Sequence, residues 1–171
     1  YIHRCQKDGV KIVMNCEVTP ELIKEEKPDS VIIATGSKTL ILPIEGIDNP
    51  AIIHGSDLLD GKRPAGKKVL VVGGGMVGCE TAAFLGEQEH DVTVIEFRDT
   101  VGADVIHEHR VYLMKDFEDY GIKEITGAKV CKFYEDGVEY ETADGVRHET
   151  RGYDSVILSM GFRNYNPLEE K

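Results

Sequence analysis

The sequence predicts an α/β fold in which a doubly wound parallel sheet carries an additional antiparallel β-meander. Residues 69–72 are four consecutive apolar residues, as in a strand buried within a parallel sheet, and they run directly into the glycine-rich residues 73–78. Strand-like and helix-like segments then alternate as far as Gly121. Beyond this glycine, Asp-Gly pairs at 136–137 and 144–145 are typical of hairpin turns between short strands.

The first 37 residues predict the end of a helix, then a strand, a short helix and a second strand. Residues 10–14 have the composition of a strand, and residues 30–34 are rich in β-branched side chains, which is typical of a buried strand. Thr19 followed by Pro20 indicates a helix start, with Thr19 as the N-cap and Pro20 as the first helical residue.

Glycine and proline punctuate residues 38–66, which predicts a connector with one short helix at 56–59. Residues 67–160 predict a self-contained unit. Its expected elements are a strand at 69–72, a helix at 79–89, a strand at 91–97, a helix at 104–120 capped by Gly121, and strands at 122–126, 130–134, 138–142, 146–149 and 153–159. Helical spacing indicates a buried stripe along the second helix, formed by Ile106, Leu113, Phe117 and Tyr120.

Composition argues against several classes of partner. With 20 basic and 31 acidic residues the net charge is −11, so a surface that tracks nucleic-acid phosphates is not expected. No apolar run approaches the roughly 20 residues that a membrane-spanning helix needs, so no membrane partner is expected. The four cysteines show neither C-x-x-C nor zinc-ligand spacing, which predicts structural thiols and a reducing, cytoplasmic location. His107 and His109 do not share a helix face, so no metal site is expected.

The glycine-rich residues 73–78 fit the pattern G-x-G-x-x-G between a strand and a helix, which is its required context. We expect Gly73 to allow the tight turn, Gly75 to let a pyrophosphate approach the backbone, and Gly78 to let the helix pack closely on the strand. The helix start then offers free N–H groups and the positive end of its dipole to the phosphates. The segment therefore predicts a Rossmann-like dinucleotide site, the alternative being a tight turn with incidental glycines.

Glu96 favours the dinucleotide interpretation. It ends the strand that follows the glycine helix, where a carboxylate can accept hydrogen bonds from the diol of an adenosine ribose. A 2′-phosphate beside that carboxylate would be a like-charge contact, costing about 4 kcal/mol per charge pair at 4 Å and an effective dielectric of 20. NADH is therefore favoured over NADPH, although Arg98 is near enough in sequence to swing toward a phosphate.

The motifs on either side of the glycine turn resemble those of the pyridine-nucleotide flavoprotein reductases. Ala34-Thr35-Gly36, after its β-branched run, is similar to the motif that closes the FAD domain of that family, and residues 155–161 are similar to the motif where the chain leaves the NAD domain. Within that family, Gly9-Val10-Lys11-Ile12 followed by Val18-Thr19 and the A-T-G strand, without a redox C-x-x-C, resembles the C-terminal half of the old-yellow-enzyme-like reductases. Residues 43–47 followed by residues 54–59 are similar to that group as well. That group includes 2-enoate reductase, 2,4-dienoyl-CoA reductase and trimethylamine dehydrogenase.

The resemblance implies a division of the chain. Residues 1–37 would be a segment of a truncated FAD domain, residues 38–66 a connector, residues 67–160 the NAD(H)-binding domain, and residues 161–171 a return toward the FAD domain. The sequence has no second glycine fingerprint, so we expect it to be part of a longer enzyme. In the group it resembles, NADH reduces FAD, and electrons pass through an iron–sulfur cluster to FMN in a barrel domain and to a substrate double bond.

The resemblance also implies roles for individual residues. Those expected to contact the dinucleotide are Gly73, Gly74, Gly75, Met76, Val77, Gly78, Glu80, Glu96, Phe97, Arg98 and Gly161. Glu80 would lie near the nicotinamide carboxamide, its alternative being a first-turn helix residue stabilised by the dipole. No residue here is expected to act as a catalytic acid or base, because hydride transfer is the chemistry of the cofactors. Two alternatives remain open: a dinucleotide sensor without redox chemistry, and the NAD domain of another FAD-dependent reductase.

Overall fold

The computed structural model describes residues 1–169. Glu170 and Lys171, which end the predicted return segment and its charged C-terminal triplet, lie outside the described residues. The chain divides into two compact units. One unit comprises Tyr1–Lys38 together with the residues from Asn164 onward, and the other is Thr39–Arg163.

The N-terminal unit contains two helices, α1 (Ile2–Lys7) and α2 (Pro20–Glu26). The predicted start of α2 is confirmed, because the Thr19 hydroxyl accepts a hydrogen bond from the Leu22 N–H at 3.3 Å and Pro20 is the first helical residue. The helix ends at Lys27, which adopts the left-handed conformation with φ 48°.

The two strands predicted in this unit are wrong. Residues 10–14 and 30–34 have no regular secondary structure, and the side chain of Ile32 is 90% exposed. A strand requires a neighbour to satisfy its N–H and C=O groups, and neither segment pairs with another strand in the described part of the chain. β-Branched composition favours an extended backbone, but it does not supply that neighbour.

The unit Thr39–Arg163 holds most of the secondary structure. Its elements are β2 (Ile53–His54), α3 (Gly55–Leu59), β3 (Lys68–Val72), α4 (Met76–Glu87), β4 (Asp91–Ile95), α5 (His107–Asp119), β5 (Lys123–Ile125), β6 (Lys129–Tyr134), β7 (Gly137–Glu141), β8 (Arg147–Thr150) and β9 (Ser155–Leu158). Two short strands, β1 (Ser37–Thr39) and β10 (Phe162–Asn164), pair with each other in a separate two-stranded sheet.

The predicted fold class is confirmed. Five parallel strands form one sheet in the order β2-β9-β3-β4-β5, and β6, β7 and β8 form the antiparallel meander. Val72 pairs in register with Ile95 on one side and with Leu158 on the other. The carboxyl ends of β3, β4 and β9 therefore meet at one edge of the sheet, where the segments that follow them lie side by side.

Alternate residues of β3 divide the core into two layers. Val69 and Val71 pack in the cluster that contains buried residues of α4 and α5, whereas Leu70 and Val72 pack in the cluster that contains Phe133 of the meander. A strand that is apolar on both faces needs a cover on both, which is why β3 has the continuous apolar run seen in the sequence. Here helices cover one face of the sheet and the meander covers the other.

Several element boundaries differ from the prediction. Helix α4 begins at Met76, three residues earlier than expected, because Gly75 is its N-cap. Helix α5 begins at His107, so Ile106 is its N-cap and is 71% exposed, and Tyr120 is exposed as well. Of the predicted stripe, only Leu113 and Phe117 are buried.

The predicted connector also differs from expectation, since it contributes β2 and the confirmed short helix α3 to the larger unit. Strand β2 has only two residues, too few to show a periodicity, and it joins the sheet because β9 offers it a parallel edge. Among the helices of the described residues, none has the length and hydropathy that crossing a bilayer requires.

Candidate dinucleotide site

A cavity of about 440 Å³ lies at the carboxyl edge of the parallel sheet, within Thr39–Arg163. It is bordered by the ends of β3, β4 and β9, by the first turn of α4 and by part of the meander. This is the crevice in which open α/β sheets bind ligands. Eight of the predicted site residues line it: Gly73, Gly75, Met76, Val77, Glu96, Phe97, Arg98 and Gly161.

Two glycines of the turn are required by close backbone approach. Gly73 has φ +105°, and a Cβ there would lie 2.4 Å from the carbonyl oxygen of Ser159. A Cβ at Gly78 would lie 1.8 Å from the carbonyl oxygen of Gly73. No other residue fits at either position without moving backbone, so these glycines set how closely α4 approaches the sheet.

Gly75 has a different environment. Its φ of −73° suits any residue, and a Cβ there would meet only the carboxylate of Asp104, at 3.2 Å from Oδ2. The cavity therefore reaches the backbone at this point, and a side chain would fill the space. Within the described residues, the N–H groups of Gly75, Val77 and Gly78 have no hydrogen-bond acceptor. These unpaired donors stand at the positive end of the α4 dipole, which is a setting suited to an anion.

Of the other N–H groups of the turn, that of Gly73 donates to the carbonyl oxygen of Ile95 at 2.9 Å, and two carboxylates accept from the other two. Glu96 Oε2 accepts a hydrogen bond from the Gly74 N–H at 2.6 Å, and its Oε1 accepts one from the Arg98 N–H at 3.0 Å. Asp104 Oδ1 accepts a hydrogen bond from the Met76 N–H at 3.0 Å. Glu96 is thereby fixed at the end of β4, half-buried at the cavity wall.

Asp104 lines the cavity but was not predicted from the sequence as a site residue. It lies in the loop between β4 and α5, which no motif marks. The available signal was topological: loops that follow adjacent parallel strands lie at the same sheet edge, so an acidic residue in the loop after β4 can reach the turn after β3.

Glu80 does not line the cavity. Its Oε1 lies 3.3 Å from Nε2 of His109 on α5, and both side chains are about half exposed. Glu80, which was expected near the nicotinamide, is therefore paired with a side chain of the adjacent helix. Gly74 does not line the cavity either. A Cβ at Gly74 would lie 2.9 Å from side-chain atoms of Glu96 and Val101, so this glycine faces the protein.

Cys79 is a packed thiol in the first turns of α4. It is fully buried, and its Sγ donates a hydrogen bond to the carbonyl oxygen of Gly74 at 3.2 Å. Burial raises the pKa of this thiol to about 12, because the thiolate would lose its hydration. Cys79 is therefore protonated at neutral pH in spite of its place near a helix start.

Large apolar side chains surround the mouth of the cavity. Met76, Phe97 and Phe162 all line it and are between 44% and 68% exposed, whereas Ile95 and Ala128 beneath them are buried. Exposed aromatic rings beside a buried apolar floor form a surface that a flat, partly apolar ring can cover.

Comparison with known proteins agrees with this arrangement. The family described as pyridine nucleotide-disulphide oxidoreductase matches residues 2–171. The chain is 35% identical over 155 residues to a bilirubin reductase of Mediterraneibacter gnavus and 34% identical over 163 residues to a cinnamate reductase of Clostridium sporogenes, covering 88% and 94% of this chain. A solved 2-naphthoyl-CoA reductase in complex with 2-naphthoyl-CoA superposes with a TM-score of 0.83 at 32% identity, over 99% of this chain.

The chain spans only about a quarter of these relatives: 24% of each reductase and 26% of the solved structure. The family match nevertheless covers nearly all of the sequence, and family membership implies pyridine-nucleotide and flavin cofactors. The chain therefore belongs to the pyridine nucleotide-disulphide oxidoreductase family, a family of flavin-dependent oxidoreductases.

Proposed function

We propose that this chain binds NADH and positions it for hydride transfer to FAD within a larger flavin-dependent reductase. The observation that supports this most directly is the set of unpaired N–H groups at the start of α4, contributed by Gly75 and Val77 beside a cavity that reaches the backbone. Two linked phosphates are acceptors of the right charge for those donors. No side chain at Gly75 fills the space that they would need.

The role proposed for Glu96 is to bind the adenosine ribose. Each of its carboxylate oxygens already accepts one backbone hydrogen bond, and each has a second lone pair that can accept from a ribose hydroxyl. The two backbone bonds hold the carboxylate at the cavity wall. A 2′-phosphate at that point would meet this fixed negative charge, which supports NADH over NADPH.

The apolar mouth supports a place for the adenine. Phe97 lies in the loop that follows β4, and its ring is 68% exposed at the cavity edge. Phe162 and Met76 stand at the same mouth. Covering such rings with a base contributes on the order of 1 kcal/mol of binding free energy.

The place of the chain in a larger enzyme is proposed from its relatives. They are reductases about four times its length, named for bilirubin, cinnamate and a naphthoyl-CoA ester. We propose that the missing sequence supplies most of the FAD site, together with an FMN barrel and an iron–sulfur cluster. The cofactors would supply hydride and electron transfer, and this chain would supply binding and orientation. A dinucleotide sensor is less well supported, because it would not need the Ala34-Thr35-Gly36 segment.

Titration of the protein with NADH and with NADPH, followed by nicotinamide fluorescence, tests the proposed binding. We expect tighter binding of NADH. Glu96→Gln should weaken NADH binding and reduce the preference over NADPH about tenfold or more, because the ribose acceptor loses its charge. Glu87→Gln removes the same charge from the exposed far end of α4 and is the matched control. No association with either nucleotide, or tighter binding of NADPH, would contradict the proposal.

Hydride transfer is tested separately in the full-length flavoprotein. Anaerobic mixing with NADH should bleach the flavin absorbance, and Gly75→Ala should slow this at subsaturating NADH while leaving the flavin content unchanged. A flavin that is reduced equally fast in both proteins would exclude the turn as the nucleotide site.

A further inference from the structure

The loop between β4 and α5 is fastened to the glycine turn by its backbone. The Gly102 N–H donates a hydrogen bond to the carbonyl oxygen of Gly74 at 2.7 Å. Val101 and Val105 on either side are buried in the core cluster shared with α4. Arg110 of α5 donates to the carbonyl oxygen of Val101 at 3.2 Å. The main chain at Asp104 is therefore held beside the turn by packing.

This anchoring places a carboxylate on the helix start. Gly75, the N-cap of α4, has no side chain to accept from the first turn. Asp104 performs that task from the neighbouring loop, because its Oδ1 accepts from the Met76 N–H at 3.0 Å and its Oδ2 lies 3.2 Å from where a Cβ of Gly75 would stand. The side chain is exposed and lines the cavity, so it can rotate away although its backbone cannot follow.

We propose that Asp104 controls anion access to the site: its carboxylate occupies the anion position at the start of α4 until the phosphates of a dinucleotide displace it. The inference rests on the proposed function and deepens it. A ligand phosphate must replace one carboxylate hydrogen bond and approach a second fixed carboxylate, that of Glu96. Free phosphate can bind only through this exchange of one anion for another, whereas a dinucleotide also binds through its ribose and adenine. The exchange weakens the binding of every phosphate at this position. Free phosphate and pyrophosphate therefore bind weakly, whereas a ligand that carries adenosine still binds through its other groups.

Asp104→Asn separates charge from shape. Asparagine is as good a helix-capping residue as aspartate, so the amide oxygen can keep the bond to the Met76 N–H while the negative charge is lost. Asp99→Asn is the matched control. Asp99 is an exposed aspartate of the same loop, makes no hydrogen bond to the turn and does not line the cavity. The two variants have the same net charge.

The experiment is isothermal titration calorimetry of the wild-type chain and both variants with inorganic pyrophosphate, adenosine, ADP-ribose and NADH. We expect Asp104→Asn to bind pyrophosphate and ADP-ribose about tenfold more tightly than the wild type, a ratio equivalent to about 1.4 kcal/mol. Binding of adenosine, which has no phosphate, should not change. Asp99→Asn should behave as the wild type with all four ligands.

The outcomes distinguish this inference from the function on which it rests. If the wild type binds NADH and Asp104→Asn binds ADP-ribose no more tightly, Asp104 does not control anion access, and the proposed function stands. Equal tightening by Asp99→Asn would assign the effect to net charge, and equal tightening for adenosine would place it away from the phosphates. Either result overturns the inference. If none of the three proteins binds ADP-ribose or NADH, the proposed function fails and this inference fails with it.

Discussion

Replacing Gly78 by alanine tests how closely α4 must approach β3. The added Cβ would lie 1.8 Å from the carbonyl oxygen of Gly73 and 2.9 Å from its carbonyl carbon, whereas real Cβ atoms essentially never come within 3.0 Å. The obstacle is backbone, so it cannot be relieved by rotation of a side chain. Helix α4 or the glycine turn must therefore move by about 1 Å in a core with little free volume.

Such a movement opens the packing between α4 and the sheet. Cys79, Ala82 and Leu85 are fully or almost fully buried on that side of the helix. Overpacking of a core costs about 1–3 kcal/mol, occasionally more, and a backbone obstacle should place Gly78→Ala near about 3 kcal/mol. For a chain of this length each kcal/mol corresponds to about 2–4 °C, so we expect the melting temperature to fall by about 6–12 °C.

Thermal and urea unfolding followed by far-ultraviolet circular dichroism measures this loss. Gly75→Ala is the matched control, because it is the same substitution three residues away, at φ −73° and with only the rotatable carboxylate of Asp104 nearby. Its melting temperature should fall by no more than about 4 °C, because alanine is a poorer N-cap than glycine by roughly 1 kcal/mol but meets no backbone obstacle here. A Gly78→Ala protein that melts within 2 °C of the wild type would refute the steric argument, as would equal destabilisation by the control.

Three further predictions concern single side chains. Phe97→Ala should weaken NADH binding about fivefold without lowering the melting temperature, because an exposed ring contributes to the ligand and not to the core; an unchanged dissociation constant would exclude the ring from the site. Iodoacetamide at pH 8 should alkylate the exposed Cys16 in the native protein but Cys79 only after unfolding, because burial raises the pKa of Cys79 to about 12, and rapid labelling of Cys79 in the native protein would contradict this. The folding stability linked to this thiol is present below its ordinary pKa of 9.0 and is lost as the pH rises toward 12. Arg151 donates a hydrogen bond to the Asp136 carboxylate at 2.7 Å, and this bond lowers the pKa of that carboxyl below 3.8. An NMR titration of Arg151→Gln should show a higher pKa for Asp136 than in the wild type. The folding stability linked to the pair should be lost as the pH falls through the lowered pKa.

The strand, glycine turn and helix at 68–87 could be predicted from the sequence because local chemistry decides them. The apolar run of β3, the left-handed conformation of Gly73 and the absence of a side chain at Gly78 act within a few residues of one another. Glu96 could also be assigned to the site, since the length of one helix and one strand determines where β4 ends. The hairpins of the meander were equally predictable from their Asp-Gly turns.

Composition was misleading where a segment depends on distant partners. Residues 30–34 have the side chains of a buried strand, and yet Ile32 is exposed, because no strand of the described chain pairs there. Strand β2 is the opposite case: two residues in a stretch with no periodicity join the sheet because β9 presents an edge to them. Strand pairing depends on two segments at once, so the residues of one segment do not determine whether it forms a strand.

The sequence by itself determined the glycine-rich turn and the acidic residue at the end of the next strand, because both follow from spacing along one stretch of chain. Only the tertiary structure decided that Asp104 shares the start of α4 and that Glu80 pairs with His109 on α5. Those neighbours depend on how loops and helices that are remote in sequence are brought to one edge of a parallel sheet. Backbone geometry is encoded locally, whereas the electrostatic surroundings of a site are assembled by packing.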